Sequence, residues 1–190
     1  IIGESGSGKS TLIDIIIGLY KPSEGHVLCD DKNIHNNIRS WFKNIGYVPQ
    51  NIQLFDNSIK KNVAFGIPDN EINETRIIEC LKMTKLLNWV NELPEGLETV
   101  VGDKGIRISG GQRQRIGIAR ALYNKPKILF FDESTSSLDL ETENELMKEV
   151  NEMLDKITKV IISHRMNTLS GCNKIYKVEN QTLKEIKKNI

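Results

Sequence analysis

Residues 3 to 10, Gly3-Glu4-Ser5-Gly6-Ser7-Gly8-Lys9-Ser10, form the pattern G-x-x-x-x-G-K-S. Glycines let successive backbone N–H groups turn toward one anion, a lysine adds a compact positive charge, and a hydroxyl can enter the shell of a divalent cation. The pattern follows an apolar remnant, Ile1-Ile2, and precedes an apolar stretch with helical character, Leu12 to Tyr20, whose positive dipole end would face the same anion. In a chain of this length a chance match is on the order of 1 %. The chemistry that uses such a cradle is binding of a nucleoside triphosphate. Lys9 would reach the β- and γ-phosphates, and the Ser10 hydroxyl would hold Mg2+.

Other candidates stand after apolar runs. Asp132 ends Ile128-Leu129-Phe130-Phe131 and suits a Mg2+-holding carboxylate, although an Asp in that position can also serve as a helix cap. Glu133, one residue further, is placed to polarise a water for attack on a γ-phosphate. Gln50 follows Ile45-Gly46-Tyr47-Val48-Pro49, and His164 follows Val160-Ile161-Ile162-Ser163. Ser109-Gly110-Gly111-Gln112 lies immediately before a Pro-free stretch from Arg113 to Leu122, with Ile116, Ile118, Ala119 and Leu122 as candidate core contacts. A serine and two glycines before a helix make a second backbone nest for an anion, or a simple capped loop.

Four short runs rich in Ile, Val and Phe, each ending in polar groups, are expected to be strands of a parallel sheet covered on both faces. In an open α/β sheet the ligand lies beyond the carboxyl ends of the strands, so these polar residues should share one crevice. Between about Asn51 and Ile108 the pattern changes. Ile77, Ile78, Leu81, Leu86, Leu87 and Val90 recur with helical spacing between Pro68 and Pro94-Glu95-Gly96, which predicts a mostly helical insertion. The expected organisation is an α/β core from 1–50 and 113–190 with a helical subdomain at 51–112. Lys174 to Ile186 reads as two short strands turning at Glu179-Asn180.

The whole composition agrees with one globular unit. The chain has 190 residues, 38 % of them hydrophobic and 27 % charged, enough apolar material for a core and against disorder. With 26 basic and 25 acidic side chains the net charge is +1, which leaves no electrostatic footprint for a nucleic-acid partner. No apolar run reaches the length of a membrane span. Cys29, Cys80 and Cys172 are too few and too scattered for a disulfide framework or a metal knuckle, which fits a reducing, cytosolic setting. Because the cradle starts at the third residue without a preceding Met, the sequence reads as a fragment of a longer protein.

Taken together, these motifs resemble the nucleotide-binding domain of ATP-binding cassette (ABC) transporters, from Gly3 to about Lys184. Ser109-Gly110-Gly111-Gln112 is similar to the family signature, with Ile108 where leucine is usual. The resemblance implies a P-loop NTPase fold and ATP with Mg2+ as ligands. Its phosphate cradle would be Gly3, Glu4, Ser5, Gly6, Ser7, Gly8, Lys9, Ser10 and Thr11; Ser10, Gln50 and Asp132 would stand around the metal. Glu133 would be the catalytic glutamate, Gln50 the Q-loop glutamine that touches Mg2+ and water, and His164 the switch histidine that contacts the γ-phosphate. Ser137-Leu138-Asp139 matches the D-loop. The segments Leu54 to Gly66 and Leu93 to Gly102 look like the exporter type, with Val100 where exporters often carry an acidic residue in the loop that meets the partner's coupling helices.

The same resemblance implies that the signature of one copy closes over the ATP held by Lys9 of another, so that two ATP molecules join a head-to-tail dimer. Such a dimer would drive membrane domains on whose cytoplasmic side it sits. The transported substrate is chosen by those domains, and the texture of this chain is most similar to bacterial exporters of lipids, lipid-linked saccharides or peptides. The family's first strands and its adenine-stacking aromatic residue would lie upstream of residue 1. Two other readings are compatible with a phosphate cradle: a P-loop phosphotransferase, which leaves the signature, Gln50 and His164 unexplained, and a non-transport ATPase of the same superfamily, which lacks the exporter-type segments.

Overall fold

The computed structural model describes residues 1–103, 105–132, 140–154, 157–164, 169 and 171–186. In chain order the strands are β1 (Ile2–Gly3), β2 (Leu28–Cys29), β3 (Lys32–Asn33), β4 (Ile45–Val48), β5 (Asn57–Ser58), β6 (Val100–Val101), β7 (Ile128–Asp132), β8 (Thr158–Ile162), β9 (Ile175–Glu179) and β10 (Thr182–Ile186). The helices are α1 (Lys9–Ile17), α2 (Ile38–Asn44), α3 (Ile59–Val63), α4 (Glu74–Met83), α5 (Leu87–Glu92), α6 (Gly110–Leu122) and α7 (Leu140–Met153).

β7 pairs in parallel with β4 on one side and β8 on the other. β1 pairs in parallel with β9, and β10 returns antiparallel along β9. Ile1 fastens the two groups of strands together: its nitrogen donates to the carbonyl of Ile161 at 2.6 Å, and its carbonyl accepts from the Ser163 N–H at 3.2 Å. The strand order is thus 4-7-8-1-9-10, parallel except at the β10 edge. Every expected strand is present. The Asn180-Gln181 turn between β9 and β10 has both residues at positive φ, the two-residue geometry whose twist matches antiparallel strands. Asp30 and Asp31 turn β2 into β3 in the same way, a hairpin the apolar pattern did not announce because neither strand exceeds two residues.

Both faces of the sheet are covered, and alternate side chains go to different cores. Leu129 and Phe131 of β7 and Ile161 of β8 join a cluster with Ile116, Ala119 and Leu122 of α6 and Leu146 and Val150 of α7. Phe130 and Ile162, one residue out of phase, join Ile13 and Ile17 of α1, Ile34 and Trp41. Each such side chain stabilises the fold by on the order of 2 kcal/mol relative to exposure. This period-two division places α1 on one face and α6 with α7 on the other.

Helix α1 is shorter than the Leu12 to Tyr20 stretch. It stops at Ile17, where the Gly18 N–H returns to the carbonyls of Asp14 and Ile15 and the Trp41 indole donates to the Ile17 carbonyl at 3.1 Å. Leu19 and Tyr20 are consequently exposed. The insertion holds α3, α4 and α5 as expected, but β5 and β6 also pair antiparallel and bring its two ends together. Ile77, Leu81, Leu86 and Val90 are buried, whereas Ile78 is exposed. Residues Ile77, Cys80, Leu81 and Thr84 form the buried side of this segment, and Ile78, about 100° round the helix from Ile77, falls outside it. The apolar stripe of the insertion belongs to the same cluster as Val48, Leu129 and Phe131 of the sheet, and α6, which starts at Gly110, is the element that both regions share.

Candidate nucleotide-binding site

The turn from β1 into α1 is shaped as an anion cradle. Gly6 and Gly8 have φ of 77° and 95°, and Gly8 is the left-handed residue from which α1 starts. At Gly3 a Cβ would lie 2.6 Å from the Ser7 Oγ and 2.8 Å from the Val178 carbonyl oxygen, so the strand can approach its own loop only without a side chain. Lys9 is 5 % exposed, and its ammonium donates to the carbonyls of Gly3 at 2.9 Å and Glu4 at 2.8 Å. A positive charge is therefore stored inside the turn on two uncharged acceptors. The Ser7 hydroxyl oxygen is buried and has no hydrogen-bond partner among the described residues. Buried polar groups are normally satisfied, so an orphaned hydroxyl beside a stored ammonium marks a place for an acceptor-rich ligand. Ser10 and Thr11 are exposed in the first turn of α1, and Glu4 and Ser5 are exposed in the loop itself.

The parallel order 4-7-8-1 then assembles the other candidates at the same sheet edge. Asp132 is the last residue of β7, in register with Ile162 of β8, and Ser163 and His164 follow that strand directly. The His164 Nδ1 lies 3.2 Å from the Gly3 carbonyl oxygen, a contact that the protonated Nδ1 makes. Gln50 is exposed two residues beyond the end of β4. Glu133 and Asp139 lie outside the described residues, as do Ser137 and Leu138.

Two features went unread in the sequence. The Tyr47 hydroxyl donates to the Asp132 Oδ2 at 2.9 Å. Burial, reinforced by that hydrogen bond, pushes the phenol far above its ordinary range, so it remains a donor at every physiological pH. The available signal was a hydroxyl inside an otherwise apolar strand, one residue before its end. The second is a buried polar knot. The Asn62 side chain donates to the carbonyls of Phe55, Asn57 and Ser58 and accepts from the Phe55 N–H. Arg120 of α6 donates to the Asn62 carbonyl and Oδ1 and to the Gln53 carbonyl, with its guanidinium over the stacked rings of Phe55 and Phe65. This ties the segment after Gln50 to α6.

The second nest sits at the opposite end of α6. Ser109 and Gln112 form a reciprocal cap: the Ser109 Oγ accepts from the Gln112 N–H at 3.1 Å, and the Gln112 Oε1 accepts from the Ser109 N–H at 2.8 Å. Gly110 and Gly111 open the helix behind it. Gly117 packs against Ile52, close in sequence to Gln50. From there to Ser109 is about 12 Å of helix.

Residues 1–136 match the family model described as ABC transporter. The chain belongs to the ABC transporter family. Among curated relatives, the ABC domain is 39 % identical over 188 residues to the mitochondrial iron-sulfur clusters transporter ATM1 of Kluyveromyces lactis, covering 97 % of this chain and 26 % of that protein. It is 37 % identical over 187 residues to the ATP-dependent lipid A-core flippase of Cupriavidus metallidurans, covering 97 % of this chain and 32 % of that protein. A bacterial Atm1-family ABC exporter solved with ATP bound superposes with a TM-score of 0.82 at 32 % identity, covering 95 % of this chain and 31 % of the other. The chain thus spans about a quarter to a third of the length of these relatives. Its fold is that of a P-loop NTPase, and its type is that of the nucleotide-binding domain of ABC exporters.

The residues present fit ATP with Mg2+. The cradle offers backbone N–H groups, an ammonium and an orphaned hydroxyl to phosphate oxygens, while Ser10, Gln50 and Asp132 are the hard oxygen donors that Mg2+ takes.

Proposed function

We propose that this chain is the ATP-hydrolysing motor of an exporter, holding Mg-ATP in the cradle from Gly3 to Thr11. The observation that supports it best is the convergence of a buried Lys9 ammonium, Asp132 and His164 at one sheet edge, a meeting of three strands distant in sequence. Bound Mg-ATP supplies the transferable phosphoryl group and a cation that neutralises its oxygens. Lys9 turns its ammonium from the Gly3 and Glu4 carbonyls to the phosphates. Ser10, Asp132 and Gln50 orient the metal, and Glu133 accepts the proton of the attacking water. His164, already on the Gly3 carbonyl, presents its ring to the γ-phosphate side of the cradle.

A motor with one cradle lacks hydrogen-bond donors on the far side of the γ-phosphate, and phosphoryl transfer is mostly positioning and charge neutralisation. The proposed completion is a second copy whose Ser109, Gly110, Gly111 and Gln112, together with Asp139, close over the nucleotide. The capped nest at the head of α6, exposed at Ser109 and Gly110, supports this reading. The functional division is an α/β core at 1–50 and 113–190 with a signature subdomain at 51–112, working on the cytoplasmic face of a membrane through transmembrane domains of the same transporter. For cargo we favour a lipid-linked saccharide, a choice supported by the name of the Cupriavidus relative.

The test is Glu133→Gln in the full-length protein. The amide keeps the shape but is a far weaker base, so phosphate release should fall by about 10²- to 10⁴-fold while ATP remains bound and trapped. Unchanged turnover would remove Glu133 from the base role.

A further inference from the structure

We propose that Tyr47 is a positioning residue for the Mg2+ ligand Asp132, an inference that rests on the assignment of Asp132 to the metal. The geometry starts from the pleat. Tyr47 pairs with Phe130 across β4 and β7, and Phe130 packs in the cluster of α1. Asp132, two residues along β7, falls on that same face by the period of the strand. Tyr47 and Asp132 therefore both stand on the side of the sheet that carries α1, whose first turn holds Ser10. Their contact is a diagonal one between neighbouring strands, 2.9 Å from the phenol oxygen to the Asp132 Oδ2.

That hydrogen bond decides how the carboxylate can serve a metal. An isolated aspartate rotates freely about its last torsion and offers either oxygen or both. With Oδ2 engaged by the Tyr47 hydroxyl at 2.9 Å, the plane of the carboxylate is set and Oδ1 is left as the oxygen for the cation. Outer partners of this kind orient metal-binding carboxylates, and their removal typically lowers metal affinity by about 10- to 100-fold. Tyr47 is among the exposed aromatic side chains, and its hydrogen bond to Asp132 is made by the hydroxyl alone, so Tyr47→Phe removes the donor and little else.

The experiment compares the full-length protein with its Tyr47→Phe and Asp132→Asn variants. Affinity for AMP-PNP is measured twice, in EDTA and in saturating Mn2+, and the ratio of the two gives the metal-dependent gain. The expected result is an unchanged affinity in EDTA and a gain reduced by about 10-fold in Tyr47→Phe. Asp132→Asn should lose most of the gain. A Tyr47→Phe gain within about twofold of wild type, while Asp132→Asn loses its own, overturns the role of Tyr47 and leaves the metal assignment standing. A parallel fall in EDTA and in Mn2+ also overturns it, because it reveals a merely structural tyrosine. If Asp132→Asn keeps the full gain, the metal assignment itself fails and the inference falls with it.

Discussion

Individual side chains in this domain are held in contacts that the sequence names but does not explain. Lys9 is the clearest case: a lysine that is almost fully buried, paired with no carboxylate among the described residues and resting on two backbone carbonyls. Such an arrangement is tolerable because carbonyl dipoles replace part of the lost hydration, and it leaves the charge available to a ligand of higher negative charge. Cys80 shows the opposite use of burial. Fully enclosed in the core beside Ile77 and Leu81, its thiol is pushed up to about 11 by loss of solvent, so almost no thiolate exists near neutrality. Cys29 and Cys172 are only half-buried. Alkylation at pH 8 followed by peptide mass mapping should therefore label Cys80 slowest of the three in the folded protein, and label all three at similar rates in denaturant. Rapid labelling of Cys80 in the native protein would contradict the packing described.

Helix α6 does more than any other single element. Its head carries the Ser109 cap, its middle packs Gly117 on Ile52, and its tail carries Arg120 into the knot with Asn62 and Gln53. Arg115, between these points, donates to the Thr84 carbonyl at 3.0 Å and to Glu149 of α7 at 2.6 Å, and Lys85 reaches the other oxygen of Glu149. Burial alone would raise the Glu149 pKa, but the hydrogen bonds and charges of Lys85 and Arg115 outweigh it and hold the carboxyl below its ordinary value of 4.5. A depressed folded-state pKa means that the unfolded chain binds the proton first, so this contribution is complete above pH 4.5 and is lost as pH falls through the folded value. Glu149→Gln should accordingly lower stability near neutrality and flatten the acid limb of the stability curve, as read from urea midpoints between pH 7 and about pH 3. Parallel curves for the two proteins would show that the α6–α7 tie contributes nothing through charge.

Two anion nests in one chain, separated by a helix, suit an assembly of two copies. We expect the nests to act in trans. Lys9→Ala removes the phosphate-contacting ammonium, and Ser109→Arg fills the signature nest with bulk; each homodimer then has two damaged sites. A mixed dimer with trans pairing gathers both lesions in one site and leaves the other with an intact cradle facing an intact signature. Trapped labelled ATP should reappear, up to one per mixed dimer of the full-length protein. If purified mixed dimers trap no more than either homodimer, each cradle is served by its own chain. The apolar residues that surround the insertion bear on the same scale: Val100 is exposed and lines a cleft of about 410 Å3 with Pro94, Glu95, Thr99, Gly105 and Ile106.

The sequence by itself determined whatever depends on short stretches. The cradle of Gly3 to Ser10 was legible because backbone N–H groups, glycines and a lysine must be consecutive to share one anion. The strands were legible because each apolar run ends in a polar group, and the burial of Ile116, Ile118, Ala119 and Leu122 followed from helical spacing. Tertiary structure alone decided what depends on strand order. That Ile1 lies beside Ile161, and so puts the Gly3 carbonyl against His164, follows from hydrogen bonds between segments 160 residues apart. Local pattern carries no information about such neighbours. The same holds for Tyr47 and Asp132, whose meeting depends on the register of β4 against β7, and for Arg120 and Asn62, a buried pair that only the packing of α6 on the insertion brings together. Ile78 fell on the exposed side because the packed face of α4 is the one with Ile77, Cys80 and Leu81, and which face of a helix meets the core is decided by packing.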